Sequence, residues 1–152
     1  MSKILVASDA PSVRSEVLAV VAGPENETDV AFTGPQVLAK ATAEAPDLVV
    51  VDMQMGNMGA MAVCMELRLA ESYGALPHVP VLMLLDRRAD VFLAKRSGAE
   101  GWVVKPLDPI RLRRAVTALL GGTSFHDDSY TPQPAFPASA SVGSATPAVA
   151  TG

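Results

Sequence analysis

Short, continuous apolar runs alternate along the first 120 residues with segments whose apolar positions recur at helical spacing. The β-rich runs predict strands near Lys3–Ala7, Asp29–Thr33, Asp47–Val51, Val79–Leu84 and Gly101–Val104. Between and after them, Val13, Val17, Val20 and Val21 recur on one helical face, as do Met61, Met65 and Leu69, and later Leu112, Val116, Leu119 and Leu120. Pro11, Pro35 and Pro109 stand where a first helical turn would begin, Asp108 can cap the last helix, and Gly98 and Gly121 can end theirs. Five strand–helix pairs result. Runs such as Leu48–Val51 lack polar alternation, as suits central parallel strands covered on both faces. The predicted fold class is therefore α/β, a five-stranded, doubly wound parallel sheet with helices on each side.

This pattern stops after Leu120. Residues 121–152 contain no Lys or Arg, their only acids are Asp127 and Asp128, and Pro132, Pro134, Pro137 and Pro147 sit among Ala, Ser, Thr and Gly. Ordering such a stretch loses more chain entropy than its scattered apolar groups return. The expected division is a folded domain over 1–120 and a flexible tail over 121–152. The chain is 49% hydrophobic, enough for one core, and its net charge of -4 argues against generic coating of nucleic acid. Its one cysteine, Cys64, can neither close an intrachain disulfide nor build a thiolate zinc cluster, which fits a reducing compartment. No apolar run approaches the roughly 20 residues of a membrane helix and the N-terminus lacks a signal-peptide layout, so the expected localisation is cytoplasmic, with no membrane partner.

In open α/β sheets, ligands bind beyond the carboxyl ends of the strands, beside the point where strand order reverses. At that edge the sequence places Ser8 and Asp9 after the first strand, Asp52 after the third, Leu85 and Asp86 after the fourth, and Lys105 after the fifth. Asp9 and Asp52 would repel there unless Lys105 or a divalent cation supplied countercharge; two carboxylates, a backbone carbonyl and waters suit Mg²⁺.

Four stretches, KILVASDAPSVR (Lys3–Arg14), PDLVVVDMQM (Pro46–Met55), VPVLMLLD (Val79–Asp86) and GAEGWVVKPLDP (Gly98–Pro109), resemble in order and spacing the receiver domain of two-component response regulators. The resemblance covers about residues 3–120. It implies the flavodoxin-like receiver fold, which is the doubly wound sheet already read from the pattern, and a phosphorelay activity in which a histidine kinase or phosphotransfer protein donates a phosphoryl group. On the matching positions it implies that Asp52 is the phosphoacceptor, that Asp9, Asp52 and the Gln54 carbonyl are Mg²⁺ ligands, and that Lys105 contacts the phosphoryl group. It further implies a cis peptide before Pro106, and puts Trp102 at the place of an aromatic switch residue.

The sequence departs from that family's pattern at several positions. Ser8 stands where an acid is usual, removing one formal charge and weakening the expected Mg²⁺ site. Leu85 replaces the hydroxyl residue that binds the phosphoryl oxygen and triggers the switch, and it has no donor. Asp86 replaces a small neighbour; its charge would either repel a phosphoryl group or stand in part for the missing acid. The loop MQMGNMGAM (Met53–Met61) lacks the usual proline, and Gly56 and Asn57 loosen it.

Blander readings apply elsewhere. Met53, Met55, Met58, Met61 and Met65 resemble a thioether metal site, but packing in the loop and on the helix core explains them. Cys64 reads as a small buried hydrophobe and Trp102 as a half-buried packing residue rather than a switch. His78 and His126 lack ligand company. Arg87, Arg88, Lys95 and Arg96 on the fourth helix, with Arg111, Arg113 and Arg114 on the fifth, put seven of the 12 bases near one face. That face is a solvated surface, or in the sharper version a docking site for a downstream protein or a homodimer; no recognition helix supports direct nucleic-acid binding.

The expectation is a stand-alone receiver that accepts a phosphoryl group on Asp52 and signals by protein contact. The rival is a pseudo-receiver, an interaction or dimerisation module without phosphorylation-dependent switching. It is not expected to be an enzyme beyond slow hydrolysis of its own aspartyl phosphate. A flavodoxin-like phosphate loop would need glycine after the first strand, a dehalogenase-type phosphatase an acid at Gln54, and a nucleotide-binding loop the GxxxxGK pattern, which is absent.

Overall fold

A computed structural model describes residues 1–56 and 58–127. The elements run β1 (Ser2–Ala7), α1 (Pro11–Val21), β2 (Asn26–Ala31), α2 (Gly34–Ala43), β3 (Leu48–Asp52), α3 (Ala60–Ser72), β4 (Val81–Leu85), a single helical turn at Arg88–Asp90, α4 (Val91–Ser97), β5 (Gly101–Val104), α5 (Pro109–Leu120) and β6 (Phe125–His126). All strand pairs are parallel, in the order β2-β1-β3-β4-β5-β6. The chain thus winds outward from β1 in both directions, and the reversal falls between β1 and β3.

Every residue of β3, β4 and β5 is buried. Alternate side chains feed two cores, because successive residues of a strand point to opposite faces. Leu5, Val49, Val51, Met83 and Leu85 pack with α2, α3 and α4, while Ile4, Val6, Leu48, Val50, Leu82 and Leu84 pack with α1 and α5. Val13, Val17, Val20 and Val21 of α1, and Leu112, Val116 and Leu119 of α5, point inward as their spacing predicts. Asp108 accepts from the Ile110 N–H at 3.0 Å and caps α5, and Gly98 ends α4 at φ 81°, a left-handed conformation that favours glycine.

Three readings change, besides β2, which begins three residues and ends two residues earlier than expected because Thr33 caps α2. In α3 the inward residues are Ala60, Val63, Cys64 and Leu67, so Met65 and Leu69 lie on the outer side, 53% and 46% exposed, and Met65 is not a core residue. The helical period holds but the inward face is a different one: an apolar stripe at i, i+4 does not say which side of an apolar helix meets the sheet. Met53, Met55 and Met58, by contrast, pack against the core. Arg87 and Arg88 precede α4 rather than ride on it, Arg87 pairing with the buried Asp90 at 3.2 Å.

The third change is at the C-terminal boundary. Residues 121–127, expected in the tail, continue the fold, while 128–152 lie outside the described residues. Gly122, at φ 87°, turns the chain, and Phe125–His126 add a sixth strand beside β5. A Cβ on Gly101 would stand 2.8 Å from the Phe125 carbonyl oxygen, so the close approach of β6 needs glycine there. His126 stacks on Trp102 with ring centroids 4.2 Å apart and planes 5° from parallel, and Trp102 is buried rather than half-buried. Asp127, 2% exposed, accepts from the Val104 N–H at 2.9 Å and faces Arg111 Nε at 3.5 Å. Asp127→Ala would leave the Val104 N–H unpaired, and should lower unfolding free energy by about 1–3 kcal/mol in a urea titration.

Cys64 is fully buried with Sγ 3.2 Å from the Ser97 carbonyl, and burial pushes its thiol up to about 11. At pH 8 the folded protein should react with iodoacetamide at least about a hundredfold more slowly than the urea-unfolded chain. Comparable rates in the two states would show that the α3 core opens readily.

Candidate functional site

The carboxyl edge of the sheet brings together side chains far apart in sequence. Asp52 ends β3 with its carboxylate buried, and its backbone is fixed by the register Asp52↔Leu84. Lys105 follows β5; its N–H donates to the Leu85 carbonyl at 2.8 Å and its peptide bond to Pro106 is cis. From there its ammonium donates to Asp52 Oδ1 at 2.7 Å and to Asp86 Oδ1 at 2.8 Å. Ser8, fully buried, donates its hydroxyl to Asp52 Oδ2 at 2.7 Å and accepts from the Ala10 N–H at 3.0 Å. Each oxygen of the Asp52 carboxylate is thus held by one donor.

Asp9 reaches this edge from the β1 side. Its Oδ2 accepts from the Gly56 N–H at 2.9 Å, tying the loop after β3 to the loop after β1, with Gln54 exposed between Asp52 and Gly56. The loop after β1 is anchored by Arg14, which donates to the Ser8 carbonyl at 2.7 Å and lies 4.5 Å over the Phe32 ring.

The structure therefore brings Asp52 and Lys105 into direct contact and sets Asp9 and Gln54 in adjoining loops. Two contacts go beyond the sequence reading. Ser8, which counts in the sequence as a missing charge, is a hydrogen-bond donor to Asp52. Asp86, which could either repel or compensate, is the second partner of Lys105. An acid at the end of β4 on the same edge as Lys105 is the signal for the latter contact. Leu85 is wholly buried and points into the α2–α4 core, so the end of β4 offers no hydroxyl.

Burial pulls the Lys105 ammonium toward deprotonation, but its hydrogen bonds to Asp52 and Asp86, with their charges, outweigh that and raise its pKa above the ordinary lysine value of 10.5. Asp86 keeps one oxygen, Oδ2, that is buried and without a hydrogen-bond partner. Among the described residues no three His, Cys, Asp or Glu side chains are placed to hold a metal ion together. A cation at this edge would rest on two carboxylates and a carbonyl. Those are hard oxygen donors, and Asp9 and Asp52 retain acceptor capacity beyond the contacts above, so the donor chemistry fits a Mg²⁺ that keeps several waters.

A model of the response regulator receiver domain matches residues 4–117. The DNA-binding response regulator MtrA of Mycolicibacterium smegmatis is 36% identical over 120 residues, covering 78% of this chain and 50% of that protein. The response regulator PleD of Caulobacter vibrioides is 30% identical over 120 residues, covering 78% of this chain and 26% of that protein. The chain thus matches half or less of the length of these curated relatives. The structure of chemotaxis response regulator CheY4 of Vibrio cholerae superposes with a TM-score of 0.69 at 28% identity, covering 78% of this chain and 98% of that one. No helix among the described residues is long and apolar enough to cross a membrane.

Proposed function

This chain belongs to the receiver domain family of response regulators in two-component systems, and on that basis we propose that its buried Asp52 carboxylate accepts a phosphoryl group from a histidine kinase or phosphotransfer protein. The observation that carries this reading is the Lys105 ammonium 2.7 Å from Asp52, across 53 residues of sequence, at the carboxyl edge beside the strand reversal.

An Asp52 oxygen attacks phosphorus, forming an acyl phosphate as the bond from phosphorus to the donor breaks and the donor leaves with that electron pair. Lys105 already stands at the Asp52 carboxylate before the phosphoryl group arrives, so its charge is at hand where the phosphoryl oxygens gather. Ser8 orients the carboxylate through Oδ2. Asp9, Asp52 and the Gln54 carbonyl would hold Mg²⁺, whose charge would offset that of the phosphoryl oxygens, with one protein charge fewer than a site with an acid in place of Ser8. Hydrolysis of the aspartyl phosphate is the only turnover this assigns to the chain. Signalling then passes by protein contact to a downstream target or a second copy, through the bases of α4 (Lys95, Arg96) or of α5 (Arg111, Arg113, Arg114), which the two helices carry on opposite faces of the sheet rather than on the single face expected from the sequence.

Incubation of the purified protein with acetyl phosphate and Mg²⁺ should add one phosphoryl group by intact mass, and chelation of Mg²⁺ should prevent it. A second reading, the pseudo-receiver, is favoured by buried Leu85 at the switch position. Failure to gain mass with acetyl phosphate or any candidate kinase would put that reading first.

A further inference from the structure

We propose that Asp86 is an internal competitor of the phosphoryl group for Lys105, so that phosphorylation of Asp52 proceeds by exchange of Lys105 from Asp86 to the phosphoryl oxygens. The proposal rests on the acceptor reading of Asp52 and concerns how that site is regulated.

The geometry is specific. An ammonium has three N–H donors, and Lys105 spends two of them on carboxylates at 2.7 and 2.8 Å. One positive charge is thus divided between two negative ones before any ligand enters. Asp86 Oδ2 is buried with no hydrogen-bond partner, so this carboxylate already lacks the donors it would find in water. A phosphoryl group on Asp52 brings further negative charge and strong acceptors to the same ammonium. It must either displace Asp86 or share Lys105 with two carboxylates, and like charges this close disfavour sharing.

Position in the chain gives the exchange a route outward. Leu85 is buried and apolar, so the polar side chain nearest the end of β4 is Asp86 itself. The next residue, Arg87, opens the turn at Arg88–Asp90 that leads into α4, and its backbone N–H donates to Asp90 Oδ2 at 3.1 Å. Release of Asp86 therefore acts directly on the segment that starts α4, without a hydroxyl switch on β4. Asp86 is a positioning residue in this scheme: it touches neither the phosphorus nor its donor, and works through Lys105.

The experiment compares wild type, Asp86→Asn, Asp86→Ala and Asp86→Glu in acetyl phosphate and Mg²⁺, following initial phosphoryl uptake by intact mass and the melting midpoint of each protein. The proposal expects Asp86→Asn and Asp86→Ala to take up phosphoryl at least about tenfold faster, with a lower half-saturating donor concentration, and Asp86→Glu to stay within about twofold of wild type. A purely structural role would shift the melting midpoint and leave the donor dependence alone. Uptake at the same rate by wild type, Asp86→Asn and Asp86→Ala would overturn the competition and leave the acceptor reading standing. No uptake by any of the four would overturn the acceptor reading, and the competition with it.

Discussion

Asp52→Asn should take up no phosphoryl group under conditions that load the wild type, while melting within a few degrees of it. The two halves of this expectation have separate causes. An amide oxygen is a poor nucleophile toward phosphorus, so the step that forms the acyl phosphate is lost outright rather than slowed. The surroundings, however, tolerate the change. The amide oxygen of the substituted side chain can still accept from the Lys105 ammonium while its NH2 donates to the Ser8 hydroxyl oxygen, the side-chain volume is nearly unchanged, and Lys105 keeps the Asp86 carboxylate at 2.8 Å as its counter-ion. Intact mass after incubation with acetyl phosphate and Mg²⁺, with a thermal melt followed by circular dichroism on the same sample, reads both. A variant that still gained one phosphoryl group would move the acceptor to another carboxylate of the same edge, Asp9 or Asp86, and the assignment of Asp52 would fall.

What the sequence reveals and what it hides divide along physical lines. Strands buried on both faces announce themselves as unbroken apolar runs, so β1, β3, β4 and β5 are legible to within two residues at each end. Strand topology then puts Asp52 and Lys105 at one edge, because parallel strands in a wound sheet all end on the same side. β6 is not legible. Two residues, Phe125 and His126, in a Gly-, Ser- and Thr-rich stretch carry no periodicity, and what holds them is a ring stack on Trp102, 24 positions earlier, together with the bond from Val104 to Asp127. Such pairings are properties of the folded surface and leave no local trace. The same holds for Ser8 and Asp86. Counting charges identifies them as departures, but whether a hydroxyl donates to a carboxylate, or an acid shares a lysine, depends on side-chain directions that strand ends do not specify. The outward stripe of α3 is a third case, since apolar residues stand on both sides of that helix, Met65 and Leu69 outward beside Glu66 and Arg68.

Lys105→Met should lower stability at neutral pH by about 2–3 kcal/mol, more than any substitution at the carboxylates it serves. The asymmetry follows from the geometry. Methionine preserves most of the aliphatic stem but leaves Asp52, 3% exposed in its side chain, with only the Ser8 hydroxyl, and leaves Asp86 with no ammonium beside its unpartnered oxygen. The loss falls short of the roughly 3–5 kcal/mol of a wholly buried pair because the Lys105 side chain is 22% exposed and water can reach part of the gap. Two further measurements separate charge from packing. The first is pH dependence: the folded-state pKa of Lys105 lies above its ordinary 10.5, so its stabilising contribution is complete below that value and is lost as pH rises through the folded-state pKa. The wild-type advantage over Lys105→Met in urea titrations should accordingly be flat from pH 7 to 9 and shrink above about 10.5. The second is the double variant Asp52→Asn/Lys105→Met, which removes the buried carboxylate along with its partner. It should be destabilised by at least about 1 kcal/mol less than the two single changes added together. Strict additivity, with no narrowing at alkaline pH, would mean that the ammonium contributes through its hydrocarbon stem alone, and that the edge of this sheet is not organised around a shared charge.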